Sequence, residues 1–159
     1  MDKALMHGHL CPICRIPFSE PCGKMPSGTM SVTTKPSSSC AGYEGLGKIV
    51  IDYNIPSGIQ KEYHPNPSKR HGFARRTAYL PDNVEGNQLL KRLVYAFKHG
   101  LTFTVGTSLT TGRPDSVTWS SVHHKTSEVG GAYGYPDPNY FSNCNFELDV
   151  LHVPKADEL

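Results

Sequence analysis

The chain has 159 residues, enough for one well-formed core and a small appendage, and its formal net charge is only +2 with neutral histidines. No basic run is long enough to track a phosphate backbone, Lys69, Arg70, Arg75 and Arg76 coming nearest, which argues against a general nucleic-acid binder. No apolar run approaches membrane-spanning length, so no membrane role is expected.

Residues 1 to about 22 bear cysteines and histidines, and MDKALM at their start suggests one helical turn. Cys11 and Cys14 form a C-x-x-C pair, while Cys22, Cys40 and Cys144 are scattered. With five cysteines and no secretory leader, the pattern reads as thiols or metal ligands in a reducing compartment, not as a disulfide framework. The terminal ADEL loosely fits a retention signal of the endoplasmic reticulum, and is taken as fortuitous because nothing delivers the chain to that lumen. Residues 23–41 are rich in Ser, Thr, Gly and Pro and read as a linker or loosely held arm.

From Gly42 the character changes. GKIVIDYNI alternates as a strand does, and the piece that follows, SGIQKEYHPNPSKRHGF, is a polar loop in which Pro65 and Pro67 forbid regular structure. RTAYLP predicts a short strand. Asp82 or Asn83 is positioned to cap a helix whose stripe is Leu89, Leu90, Leu93, Val94 and Phe97, with Gly100 as its stop. LTFTVGTS and SVTW predict two more strands. A last helix is expected from Asp137 as N-cap and Pro138 as first helical residue, with Tyr140, Phe141, Cys144, Leu148 and Leu151 on its apolar face. Strands followed by amphipathic helices, without a βαβ rhythm, predict an α+β fold, a mainly antiparallel sheet covered by two helices.

The stretch from Leu101 to Tyr140 crowds together Ser108, Thr110, Thr111, Arg113, Trp119, His123, His124, Lys125 and Tyr133. Polar groups on pocket-lining backbone cost free energy unless something pairs with them, which makes this a candidate site for a polar ligand. His123 and His124 are adjacent, so on extended backbone only one can face a given pocket while the other is structural or solvated. A histidine there can serve as a base or as a donor, although a lone one is more often structural. Glu147 falls on or beside the apolar stripe of the last helix, where it suits a general base as well as it suits an edge residue. Arg76 with Tyr79, and Gly106-Thr107-Ser108, are suited to phosphate or ribose but match neither dinucleotide-binding fingerprint nor P-loop. Cys11 and Cys14 have the spacing of half a zinc site. His7 and His9 would squeeze all four ligands into eight residues, so the pair reads as an incomplete site or as two reduced surface thiols.

Residues 42 to 148 closely resemble the Deltex carboxy-terminal domain, and its Deltex 3-like branch in particular. The strings that carry the resemblance are GKIVIDYNIPSGIQKEYHPNP, RTAYLPDNVEGNQLLKRLVYAF, LTFTVGTSLTTGRPD, VTWSSVHHKTS and YGYPDPNY. LCPICRIPF resembles the last ligand pair of a RING finger, which in this family abuts the Deltex domain, and MDKAL resembles the end of the RING helix. The resulting division is a RING remnant over 1–22, a linker over 23–41 and a Deltex domain over 42–159. The resemblance implies a RING-type E3 ubiquitin ligase of the ubiquitin-conjugation pathway and of Notch signalling, in cytoplasm and nucleus. Its RING, with zinc, holds a ubiquitin-charged E2, and its Deltex domain binds ADP-ribose or NAD⁺. Together they bring the ubiquitin C-terminus to the nucleotide or to an ADP-ribosylated target, with an ADP-ribosyltransferase as a further partner. Carried over by position, Glu147 and His123 match catalytic residues, Glu147 as base and His123 as orienter. Arg76, Ser108, His123 and Tyr133 match contacts to ADP-ribose, and Cys11 and Cys14 match zinc ligands.

Three departures accompany the match. Only Cys11 and Cys14 of the eight RING ligands are present, CGKMPSGTM lacks the family's Asn-Gln-Pro character, and DVLHVPKADEL departs from its charged helical ending. The truncated RING keeps a second reading in view, a non-catalytic module that reads ADP-ribose or NAD⁺ without transferring ubiquitin.

Overall fold

In this computed structural model the described residues are 22–159; the helical turn expected in MDKALM and the cysteine pair Cys11 and Cys14 lie outside them. Among the described residues three antiparallel sheets organise the domain. The first is built on a strand whose alternation is plain in the sequence. In Lys48–Ile55 the residues Ile49, Ile51, Tyr53 and Ile55 point inward and are at most 1% exposed, while Asp52 and Asn54 face out. This strand, β2, pairs along one edge with β1 (Thr29–Lys35) and along the other with Ala74–Pro81, which is β5. Between them, β3 (Gly58–Ile59) and β4 (Arg70–His71) clip together the ends of the polar, proline-bearing loop. Phe103–Gly106 (β6) and Ser116–Trp119 (β7) form the third sheet.

β1 falls inside the stretch read as a linker. An outer strand needs little burial, and Thr29, Val32, Thr33 and Thr34 are β-branched residues that suit a mostly exposed edge. Composition therefore signalled a linker where the pairing partner β2 imposes a strand.

Helix α1 (Val84–Lys98) is capped as its sequence predicts, the Asn83 side chain accepting from the Gly86 N–H at 2.7 Å and Gly100 taking φ +72° just past the end. Leu89, Leu93 and Ala96 are buried on it, with Leu90 and Phe97 packed at the core margin. Helix α2 (Tyr140–Val150) starts two residues later than expected. Its N-cap is Asn139, without a side-chain cap bond. The Asp137 carboxylate is engaged elsewhere, accepting from the Asn139 N–H and from Lys125 Nζ, so Asp137 and Pro138 form a turn leading into the helix. Tyr140, Phe141, Cys144 and Leu148 are buried as the stripe predicts. The fold is thus α+β, antiparallel ladders with two helices. Cys40 and Cys144 are free and buried.

At the centre, the Tyr53 ring meets Phe103, Trp119 and His124 edge-on at 5.3, 5.8 and 5.4 Å between centroids. This aromatic cluster joins the three-stranded ladder to the β6–β7 ladder and sets the level at which the site is built.

Candidate functional site

The loop between β6 and β7 closes on itself. The Ser108 N–H donates to Arg113 O at 2.9 Å, Ser108 O accepts from the Gly112 N–H at 2.8 Å, and the Ser108 hydroxyl accepts from the Thr111 N–H at 3.2 Å. Its far end is pinned by Asp115, whose carboxylate accepts from the side chains of Gln60 (2.9 Å) and Asn66 (2.7 Å). Those two bonds hold the Asp115 carboxyl below its usual range. The loop forms one wall of a cleft of about 1050 Å³, lined also by Arg70, Phe73, Arg76, Trp119 and Tyr133. Arg70, Arg76 and Arg113 all border it, and the one carboxylate in its lining is the already bonded Asp115. Such a cleft suits an elongated anion with an apolar ring.

A second hollow of about 450 Å³ is lined by His123, Asp137, Tyr140, Asn143, Phe146 and Glu147. Here α2 grips the backbone of His123 from both sides. Glu147 Oε1 accepts from the His123 N–H at 2.8 Å, while the Tyr140 hydroxyl donates to His123 O at 3.0 Å. With its backbone fixed, the His123 imidazole stays exposed and stacks on Tyr133, 5.8 Å between centroids and 22° between planes. Tyr133 lines the large cleft and His123 the small hollow, so this stack is the seam where the two meet.

The neighbouring histidine has the opposite environment. His124 is buried and stacks on Trp119 at 4.4 Å. Its Nδ1–H donates to Val122 O at 3.0 Å, which leaves Nε2 to accept from the Tyr53 hydroxyl at 2.8 Å. Burial pushes its pKa down from 6.5 to about 4, so it is a neutral structural residue at ordinary pH. The division of labour between adjacent histidines follows from backbone alternation, although the segment lies beyond β7.

The structure therefore brings His123, Glu147 and Tyr133 together and sets Arg76, Ser108 and Tyr133 around one cleft. Sequence reasoning missed Arg70 and Phe73, which sit at the base of a loop with no periodicity to mark them, and Asn143 and Phe146. Phe146 had a usable signal: a large apolar residue on α2 but off the Tyr140–Cys144–Leu148 stripe, and indeed 67% exposed. Among the described residues no cluster of His, Cys, Asp and Glu could hold a metal ion, and no helix is long and apolar enough to cross a membrane.

Residues 22–153 match the model of the Deltex C-terminal domain, and the chain belongs to the Deltex family. It is similar to the human protein named Probable E3 ubiquitin-protein ligase DTX3, 44% identical over 151 residues that cover 93% of this chain and 44% of the relative. It is also similar to human E3 ubiquitin-protein ligase DTX1, 41% identical over 152 residues (92% of this chain, 24% of the relative). A third relative is mouse E3 ubiquitin-protein ligase DTX4, 43% identical over 144 residues (87% and 23%). The chain spans less than half the length of these curated relatives.

Proposed function

We propose that this chain is the ligand-presenting and catalytic part of a Deltex-type E3 ubiquitin ligase. The names of its relatives support the ligase reading. In this reading ADP-ribose or NAD⁺ lies in the arginine-bordered cleft, its phosphates near Arg76 and Ser108, and its terminal ribose reaches the His123–Tyr133 seam. The RING that Cys11 and Cys14 would help to build holds the ubiquitin-charged E2.

A ribose hydroxyl attacks the thioester carbonyl carbon, the carbon–sulfur bond breaks, and an ester to ubiquitin forms. Glu147 takes the hydroxyl proton and returns it to the departing thiolate. A weak nucleophile needs such a base and close placement. The His123 N–H bond to Glu147 aims the carboxylate, and leaves Oε2 without a hydrogen bond among the described residues. The observation that carries the reading is the seam itself, a 5.8 Å stack that joins an anion-suited cleft to a hydrogen-bonded carboxylate.

Calorimetric titration with ADP-ribose, with AMP as control, tests the binding half. Saturable binding of ADP-ribose but not AMP is expected. For transfer, Glu147→Gln joined to a complete RING keeps an oxygen for the His123 N–H but cannot take a proton. It should bind ADP-ribose as the parent does and transfer ubiquitin about 10²–10⁴-fold more slowly. Normal transfer by that variant removes Glu147 as base; binding without transfer by the unmodified sequence joined to the same RING favours the non-catalytic reader.

A further inference from the structure

Two parts of the site motifs are not used by this chemistry: Lys125 in VHHKT and Asp137 in YPDPNY. Lys125 has a side chain 0% exposed, and a buried ammonium is costly unless fully paired. Its partners come from one loop and one helix. Nζ donates to Asp137 Oδ2 at 2.7 Å and to Ala132 O at 2.9 Å, and lies 5.3 Å from the centre of the Tyr140 ring. The Lys125 hydrogen bond is the foremost cause that holds the Asp137 carboxyl below its usual range.

The placement of these partners matters more than their number. Lys125 follows His123 by two residues, and its own carbonyl is fixed to β5 by the Tyr79 N–H at 2.9 Å. Ala132 immediately precedes Tyr133, in a loop whose Val129 is 65% exposed and whose Gly130 and Gly131 both have positive φ. The loop closes on itself through the Ser127 N–H to Tyr133 O and the Gly130 N–H to Tyr135 O, both at 2.8 Å, and the Lys125 ammonium ties its Ala132 carbonyl, next to Tyr133, to the His123 segment. The other Asp137 oxygen accepts from the Asn139 N–H at 3.0 Å, at the entry to the helix that carries Glu147. One ammonium thus touches the His123 segment, the Tyr133 loop and the approach to α2. Apolar packing would stabilise a core at least as well as a buried ion pair does, so the pair is better understood as fixing one geometry.

We propose that Lys125 and Asp137 are positioning residues, a buried strut that sets the Tyr133 ring against His123 and so shapes the ribose end of the ligand site. The strut rests on the ligand reading above for its consequence in binding, but not for its effect on the ring stack.

The test uses Lys125→Met, which keeps the aliphatic stem, and Asp137→Asn, which keeps an acceptor oxygen, each also made in a Tyr133→Ala background. In the parent sequence each should weaken ADP-ribose binding about tenfold, and in the Tyr133→Ala background by less than about twofold, because the strut acts through Tyr133. Without any ligand, the NMR shift that the Tyr133 ring imposes on the His123 imidazole protons should shrink in both variants. Equal losses of affinity in the two backgrounds, or an unaltered His123 shift in a folded variant, overturn the strut. If the parent sequence does not bind ADP-ribose, the ligand reading fails and the His123 shift alone decides the strut. If Lys125→Met does not fold, Asp137→Asn, whose side chain is one-third exposed, supplies both readouts.

Discussion

His124 shows how a single side chain can link the fold to pH. Its ring is held between Val122 O and the Tyr53 hydroxyl, and burial holds its pKa near 4 against 6.5 when free. The unfolded chain takes up that proton near pH 6.5, whereas the folded chain resists it until about pH 4. Over that window the unfolded state binds more protons, so stability falls as pH falls, by up to roughly 1.4 kcal/mol per pH unit for this one residue. Burial shifts His64 in the same direction, which adds to the loss in the upper part of the window. Asp115, Asp137 and Asp149, all held below the usual carboxylate range, extend the loss to more acid pH. Urea denaturation should therefore give a lower unfolding free energy at pH 5 than at pH 7, with a shallower dependence in His124→Gln. Equal stability at the two pH values in the parent protein would mean that His124 titrates normally, and would remove it as the source of acid sensitivity.

At the scale of elements, what the sequence revealed depended on whether a local rule acted alone. β2 and β5 alternate, α1 has a stripe, a cap and a stop, and all three are found where these signals put them. β1 was hidden because an exposed edge strand shares its composition with a linker, and the start of α2 because Asp137, bonded to both the buried Lys125 and the Asn139 N–H, sits in the turn before the helix. Gly86 is a case where a local rule points the wrong way. In a helix, alanine is normally better than glycine by about 1 kcal/mol. Here a Cβ at Gly86 would stand 1.8 Å from Pro81 O, at the end of β5, and 3.2 Å from the capping Asn83 oxygen. The first turn of α1 lies so close to the sheet that only hydrogen fits. Gly86→Ala should destabilise the domain by about 1–3 kcal/mol, the usual cost of overpacking. Gln88→Ala, on the exposed side of the same helix, should stay within about 0.5 kcal/mol of the parent. Thermal or chemical denaturation of the two decides it, and a stabilised Gly86→Ala would mean that α1 can move away from β5.

At the scale of the whole molecule, the sequence marked a polar, site-like region but could not say which of its residues touch. Arg76, Ser108, Tyr133 and Glu147 come from four separate segments, and only the packing of β5, the β6–β7 loop, the Tyr133 loop and α2 brings them near one seam. The same blindness hid Arg92, which lies among the buried leucines of α1 and is 2% exposed. Its guanidinium donates to Asn145 O, Asn145 Oδ1, Asp149 Oδ1, Val153 O and Pro154 O. The tail after Leu148, where the sequence departs from the family pattern, is therefore tied back to α1, and Val153 is buried with it. Asn145 and Asp149 flank Glu147 along α2, so the same grip fixes the helix segment that carries the proposed base. Arg92→Met would leave the Val153 and Pro154 carbonyls without their donor, at roughly 1–3 kcal/mol for a buried group left unpaired. Lys155→Ala removes only the exposed arm on Asp149 and should cost less than about 1 kcal/mol. Arg92→Met should also speed hydrogen exchange at the Leu151 and Val153 amides, which bond to Leu148 O, well before global unfolding. If exchange there is unchanged while overall stability falls, the arginine supports the core alone, and the placement of Glu147 depends on Cys144 and Leu148 packing instead.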